Sequence, residues 1–204
     1  MSQDIEDTFP AQKLSGEPHP EPATLALMRM GIAGFEPTFL AGLDPIRSEH
    51  GPRLAALAGR RLTGYALVRF AENGEWFADC PVVLDFDGVR LELCHWKFDE
   101  LSIGWNSVDT AAAITEWGWF GLTPMWSAVD DRLGRFAGQE LLEVALLEYR
   151  APDWDAANGS VAVEFVFATG RFRIENGLDA NTIEVGPAQP EYVRHQLGAP
   201  EARS

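Results

Sequence analysis

"VVLDFDGVRLEL", residues 82–93, carries the clearest structural instruction in the chain. Asp87-Gly88 stands between two apolar-rich runs, and that dipeptide tolerates the positive φ angles that two-residue hairpin turns require. A turn there pairs Phe86 with Val89, Leu84 with Leu91 and Val82 with Leu93 on one face. It pairs Asp85 with Arg90 and Val83 with Glu92 on the other. One face is apolar and the other largely charged, the pattern of a half-buried antiparallel sheet. The same register sets Cys80 opposite His95 and Cys94 opposite Pro81, which sends the two thiols to opposite faces and argues against a disulfide.

A second hairpin stands in "VAVEFVFATGRFRIE", residues 161–175. With Thr169-Gly170 as its turn, Phe167 pairs with Phe172 and Phe165 with Ile174. Glu164, Arg171, Arg173 and Glu175 then share the opposite face.

The two hairpins belong to a longer echo. Shifting the chain by 79 positions aligns "GLDPIRSEHGPRLAALAGRRLTGYAL", from Gly42, with "GLTPMWSAVDDRLGRFAGQELLEVAL", from Gly121, with 11 identities in 26 positions and no gap. Farther on, Trp76 corresponds to Trp154, Phe86 to Phe167 and Asp99 to Asp179. Self-similarity at a fixed spacing is the signature of an internal repeat. Each copy reads as a turn at Gly and Pro, a short helix (52–57 or 131–136, the second capped by Asp130 or Asp131), a glycine stop at Gly59 or Gly138, and a strand (61–70 or 140–149). A tryptophan-bearing loop, the hairpin and a last strand (101–105 or 182–185) follow. The expected fold is α+β, mainly antiparallel β: two tandem copies of a helix-plus-four-strand unit, residues 42–108 and 121–187, in a pseudo-twofold relation.

Outside the copies, residues 1–22 hold four prolines and five acidic residues with little periodicity, and read as a mobile arm. Residues 23–41 read as an N-terminal helical segment in which "EPTFLAG", from Glu36, starts a helical turn. Residues 109–120 form an aromatic connector, and the tail 188–204 suggests a short helix over 191–197.

Composition bounds the function. A chain of 204 residues with 46% hydrophobic residues can build a sizeable core. A net charge of −15 disfavours nucleic acid and anionic membrane and mildly favours a basic protein partner, although the acidity is spread along the chain and reads first as a generally soluble surface. No apolar run is long enough for a membrane helix, and the acidic start does not resemble a secretory signal. Two cysteines are compatible with a reducing compartment, and the expectation is a cytoplasmic protein.

Few residues suggest chemistry. Asp99 and Asp179 are candidates for a carboxylate pair, but an aspartate between strands commonly bonds its own backbone in a tight turn. Copy two also lacks the Ser/Thr-Gly that follows the aspartate in aspartic proteases. His95 is the natural general base if one exists, yet its counterpart near Asn176 preserves nothing. The four histidines form no metal-ligand spacing, and no phosphate-binding or nucleophile motif occurs, so neither metal nor cofactor is expected. Trp117, Trp119 and Trp126 form an aromatic cluster that either fills the junction between copies or builds a binding surface. Trp76 and Trp154 read as matching core anchors.

The segment "IENGLDANTIEV", residues 174–185, resembles over residues 174–183 a strand-ending pattern, roughly NALDENG, of small acidic bacterial proteins, some of them similar to immunity proteins of toxin systems. Gly177 replaces alanine of that pattern and Ala180 replaces glutamate. The resemblance implies a non-enzymatic protein binder and transfers no catalytic residue. The competing expectation is a small-molecule binder or enzyme with a pocket between the copies, lined by Trp117, Trp119, His95 and Trp105.

Overall fold

The computed structural model describes residues 30–115, 121–152 and 154–198. The chain is mostly antiparallel β, in two sheets, with few helices. In order come β1 (Phe39–Ala41), α1 (Leu43–Ala55), β2 (Leu62–Phe70), β3 (Val82–Phe86), β4 (Val89–Trp96) and β5 (Glu100–Trp105). Then follow β6 (Pro124–Ser127), α2 (Asp131–Gly134), β7 (Leu141–Tyr149), β8 (Val161–Phe167), β9 (Gly170–Asn176), β10 (Asn181–Val185) and β11 (Tyr192–Gln196). One sheet has the order β1-β5-β4-β3-β2-β6 and the other β10-β9-β8-β7-β11.

The first hairpin adopts the expected register, from Phe86↔Val89 to Val82↔Leu93. Asp87 and Gly88 both have positive φ, 49° and 80°, as the turn requires. The second hairpin is shifted by two residues from expectation. Its turn is Ala168-Thr169, so Phe167 faces Gly170, Phe165 faces Phe172 and Val163 faces Ile174. A shift of two preserves parity, and the phenylalanines still point to the intended side.

The apolar faces of the two sheets pack against each other. Leu84, Phe86, Leu91 and Leu93 of one sheet meet Val163, Phe165, Phe172 and Ile174 of the other in one continuous core. Phe86 stacks on Phe165 with ring centroids 5.7 Å apart, a geometry that adds to area burial. The helices seal the flanks: α1 inserts Ile46, Leu54 and the following Leu57, and α2 inserts Leu133 with Phe136 behind it. Asp130 caps α2, accepting from the backbone N–H of Arg132 and Leu133.

The two sheets share part of their strand order. The order β5-β4-β3-β2 in one sheet matches β10-β9-β8-β7 in the other. Both lead strands slip register 79 positions apart, between Leu62 and Gly64 and between Leu141 and Glu143. Where β2 and β7 begin, Gly59 N–H donates to the Leu141 carbonyl and Gly138 N–H to that of Leu62. Leu62 N–H donates to Gln139 O and Leu141 N–H to Arg60 O. Gly59 and Gly138 carry positive φ, as their place after a helix predicts.

Other expectations are corrected. α1 begins at Leu43 rather than near residue 52, and Pro52 lies inside it. The aligned segment in the second half forms the strand β6, which crosses to pair with β2, and its helix is only four residues long. The segment from Glu36 leads into β1, and the tail forms β11, because the open edges of β5 and β7 offer ladders that outweigh weak local preference. The charged face of the first sheet is not open to solvent. Val68, Val83, Cys80 and Cys94 form a second apolar cluster there with Met30, Ile32, Phe35 and Val108.

Both thiols, free and buried, therefore lie in the same cluster. Cys80 precedes β3, so strand alternation does not govern it. The covering segment 30–35 is laced to 107–115 by Asp109 N–H to Ala33 O and Thr115 N–H to Gly31 O. Buried Glu92 anchors the second of these segments, accepting from the N–H groups of Ser107 and Val108. Trp154, expected in the core, is 84% exposed. The acidic arm 1–22 and most of the anticipated helix over 23–30 lie outside the described residues.

Candidate functional site

The two echoing aspartate segments meet at one end of the sandwich. In the β4–β5 corner Trp96 faces Glu100, and Lys97, with φ 50°, Phe98 and Asp99 make the turn. In the β9–β10 corner Asn176 faces Asn181, and Gly177, Leu178, Asp179 and Ala180 make the turn. Leu178 and Asp179 are both left-handed, with φ 66° and 76°. That conformation costs a side chain with a Cβ about 1–2 kcal/mol per residue. Gly177 N–H donates to Ala180 O and Asp179 N–H to the Asn176 side chain, so the turn is bonded through the Asn176 amide and the Asp179 backbone.

Asn176 also joins the corners, donating from Nδ2 to the Lys97 carbonyl at 2.6 Å. At Gly177 an added Cβ would stand 1.9 Å from Thr182 Oγ1. The alanine of the NALDENG pattern would thus require Thr182 to turn away.

Beneath the corners lies a polar clasp between the sheets. β3 stops at Val82, which leaves His95 N–H and Cys80 C=O without strand partners where the ladder would have continued. The Asn181 side chain, from the opposite sheet, takes that place. Its Oδ1 accepts from His95 N–H at 3.0 Å, and its Nδ2 donates to Cys80 O at 2.9 Å and Ala78 O at 2.8 Å. His95 Nδ1 lies 3.1 Å from the same Oδ1, and Nε2 lies 3.1 Å from Val161 O. Burial lowers the His95 pKa despite these two acceptors.

The arrangement limits the available chemistry. His95 is 1% exposed with both ring nitrogens engaged, so it is closed to substrate. Burial pushes the Cys94 thiol up to about 12 and raises Cys80 as well, which suppresses thiolate nucleophilicity. The carboxylate that feels Asp179 is Asp79: burial first, then Asp179, raises its pKa. What the end presents outward is Phe98, 46% exposed, and Leu178, 77% exposed, on joined corners among Asp79, Asp99, Asp179 and the Lys97–Glu100 ion pair. Large apolar tips set among charges suit contact with another macromolecule.

Of the aromatic residues singled out from sequence, Trp126 lies on β6 opposite Val68 and packs onto the second apolar cluster, its Nε1 buried and unpartnered. Trp117 and Trp119 lie outside the described residues. Trp105 faces Leu91 on β4, four positions from His95, and the two occupy opposite ends of the inner face. Trp76 packs on the main core with the Arg132 guanidinium 4.8 Å from its ring centre. Sequence reasoning missed Phe98, Leu178, Asp79 and Asn181. The only signal was the echo itself, which aligns Phe98 with Leu178 as large apolar residues ahead of a turn aspartate.

Among the described residues no group of three His, Cys, Asp or Glu is placed to hold a metal ion, and no helix is long and apolar enough to cross a membrane. No family model, no curated protein and no solved structure matches the chain.

Proposed function

We propose that this chain is a non-enzymatic protein-binding module, that the joined corners are its contact surface, and that its partner is basic there. The observation that carries the reading is the outward placement of Phe98 and Leu178 on strained, mutually bonded turns rimmed by carboxylates. Left-handed turns with exposed apolar tips are costly to keep, and such strain clusters at functional sites. A net charge of −15 gives the surface a field that attracts a basic partner. Neutralisation of a toxin, in the manner of an immunity protein, is the sharpest form of this reading, and a cytoplasmic setting suits its two free thiols.

We also read the halves as two copies of one unit related by a pseudo-twofold axis near Arg61 and Glu140. The matched strand orders, the matched register slips and the reciprocal bonds of Gly59 and Gly138 support this.

The test is affinity capture from the native cell with wild-type protein, a Phe98→Asp/Leu178→Asp double variant, and Leu142→Ala as a control at an exposed apolar residue at the opposite end of β7. The reading expects a basic protein retained by wild type and by the Leu142 variant and lost by the double variant at unchanged thermal stability. Retention by all three overturns it.

A further inference from the structure

A separate feature lies on the flank, where α1 runs past β1 and β5 and leaves a groove of about 550 Å³, within the range of small-ligand sites. Leu40, Pro45 and Ile103 give it apolar walls; Thr38, Ser48, Glu49 and His50 give it polar ones. Pro45, Ser48 and Glu49 share one face of α1 by their i, i+3, i+4 spacing. Pro52, inside the helix, has no N–H to offer the Ser48 carbonyl four residues back, which leaves that acceptor without its usual helical partner.

His50 is half-buried, and burial lowers its pKa, so the imidazole is neutral near pH 7. Trp105 Nε1 donates to its Nδ1 at 3.4 Å, which places the remaining proton on Nε2. Among the described residues neither the Glu49 carboxylate nor the Ser48 hydroxyl has a hydrogen-bond partner.

We propose that this groove binds a small amphiphilic amine: an apolar body against Leu40, Pro45 and Ile103, and an ammonium on the Glu49 carboxylate beside Ser48. The walls supply acceptors for such a head group, while an anionic head group would meet Glu49 in a strongly acidic protein. The proposal is independent of the corner surface.

Tryptamine and indole-3-acetate, matched in body and opposite in charge, are the probes. Each is titrated into the full chain while the His50 ring and Ile103 methyl resonances are followed by NMR. Tryptamine is expected to shift both signals and to bind about fivefold more tightly than the acetate, the discrimination one partly exposed charge provides. Glu49→Gln should reduce that preference to less than about twofold, and Ser48→Trp, at an exposed position, should block both probes without loss of thermal stability. No shift at His50 or Ile103 with millimolar tryptamine, or a preference unchanged in Glu49→Gln, overturns the assignment.

Discussion

Asn181→Ala is the substitution that most directly tests how the sheets are joined. The side chain satisfies His95 N–H, Cys80 O and one lone pair of Ala78 O, and it faces His95 Nδ1, all at the buried end of the sandwich. Ala78 O keeps a second donor, Asn181 N–H, after truncation. His95 N–H and Cys80 O lose their partner outright, and the imidazole loses one of its two contacts. An orphaned buried backbone group costs about 1–3 kcal/mol, so two of them and a half-freed imidazole amount to roughly 3–5 kcal/mol. That is a large share of a typical domain stability of about 5–15 kcal/mol. Urea unfolding followed by tryptophan fluorescence should show a lower midpoint at an unchanged m-value. Asn181→Asp should fare no better, because a carboxylate cannot donate to the two carbonyls. A loss below about 1 kcal/mol in Asn181→Ala would refute the view that this amide replaces the missing end of the β3–β4 ladder.

Other outcomes follow from the same geometry. Burial lowers the pKa of both His95 and His50 from 6.5, so the unfolded chain takes up protons first as pH falls. Stability should therefore be full above about pH 6.5 and decline below it, and Gln at position 50 should remove part of that slope in urea titrations at several pH values. Leu178→Gly relieves a left-handed leucine that is largely exposed, and thermal unfolding should show no loss and a gain of up to about 1 kcal/mol. At Gly31, with φ 61°, an added Cβ would stand 1.6 Å from the Thr115 carbonyl oxygen. Gly31→Ala should displace segment 30–35, measured as faster amide exchange at Asp109 and Thr115 with the sandwich amides unchanged.

How much of this was legible varied with local chemistry. Asp87-Gly88 fixed the first hairpin to the residue, because the turn type that dipeptide supports leaves one register. Ala168-Thr169 carries no such mark, and Gly170 beside it drew the expected turn one place downstream, which moves the pairing by two. The identical residues of the 79-residue echo concealed a divergence: Leu43–Ala55 is helix where the aligned stretch supplies the strand Pro124–Ser127. Propensity could not separate these, since the deciding term is the free edge of β2, which only the fold creates. Trp154 was misplaced for the related reason that matching positions need not share burial. Of the candidate site, Asp99 and Asp179 stood out in the sequence as turn residues, while Asn181 was invisible because its role depends on where β3 stops.

The late arrival of β6 also bears on how the chain is made. During synthesis the first 115 residues emerge carrying the apolar inner face of β2–β5 with no second sheet to cover it, and with the β2 edge unpaired until Ser127 is out. An uncovered face and an open edge make a nascent chain adhesive. The ribosome-bound half is therefore the stage at which this protein should depend most on chaperones. A codon pause placed between the two halves should lower the soluble yield more than one placed after residue 185.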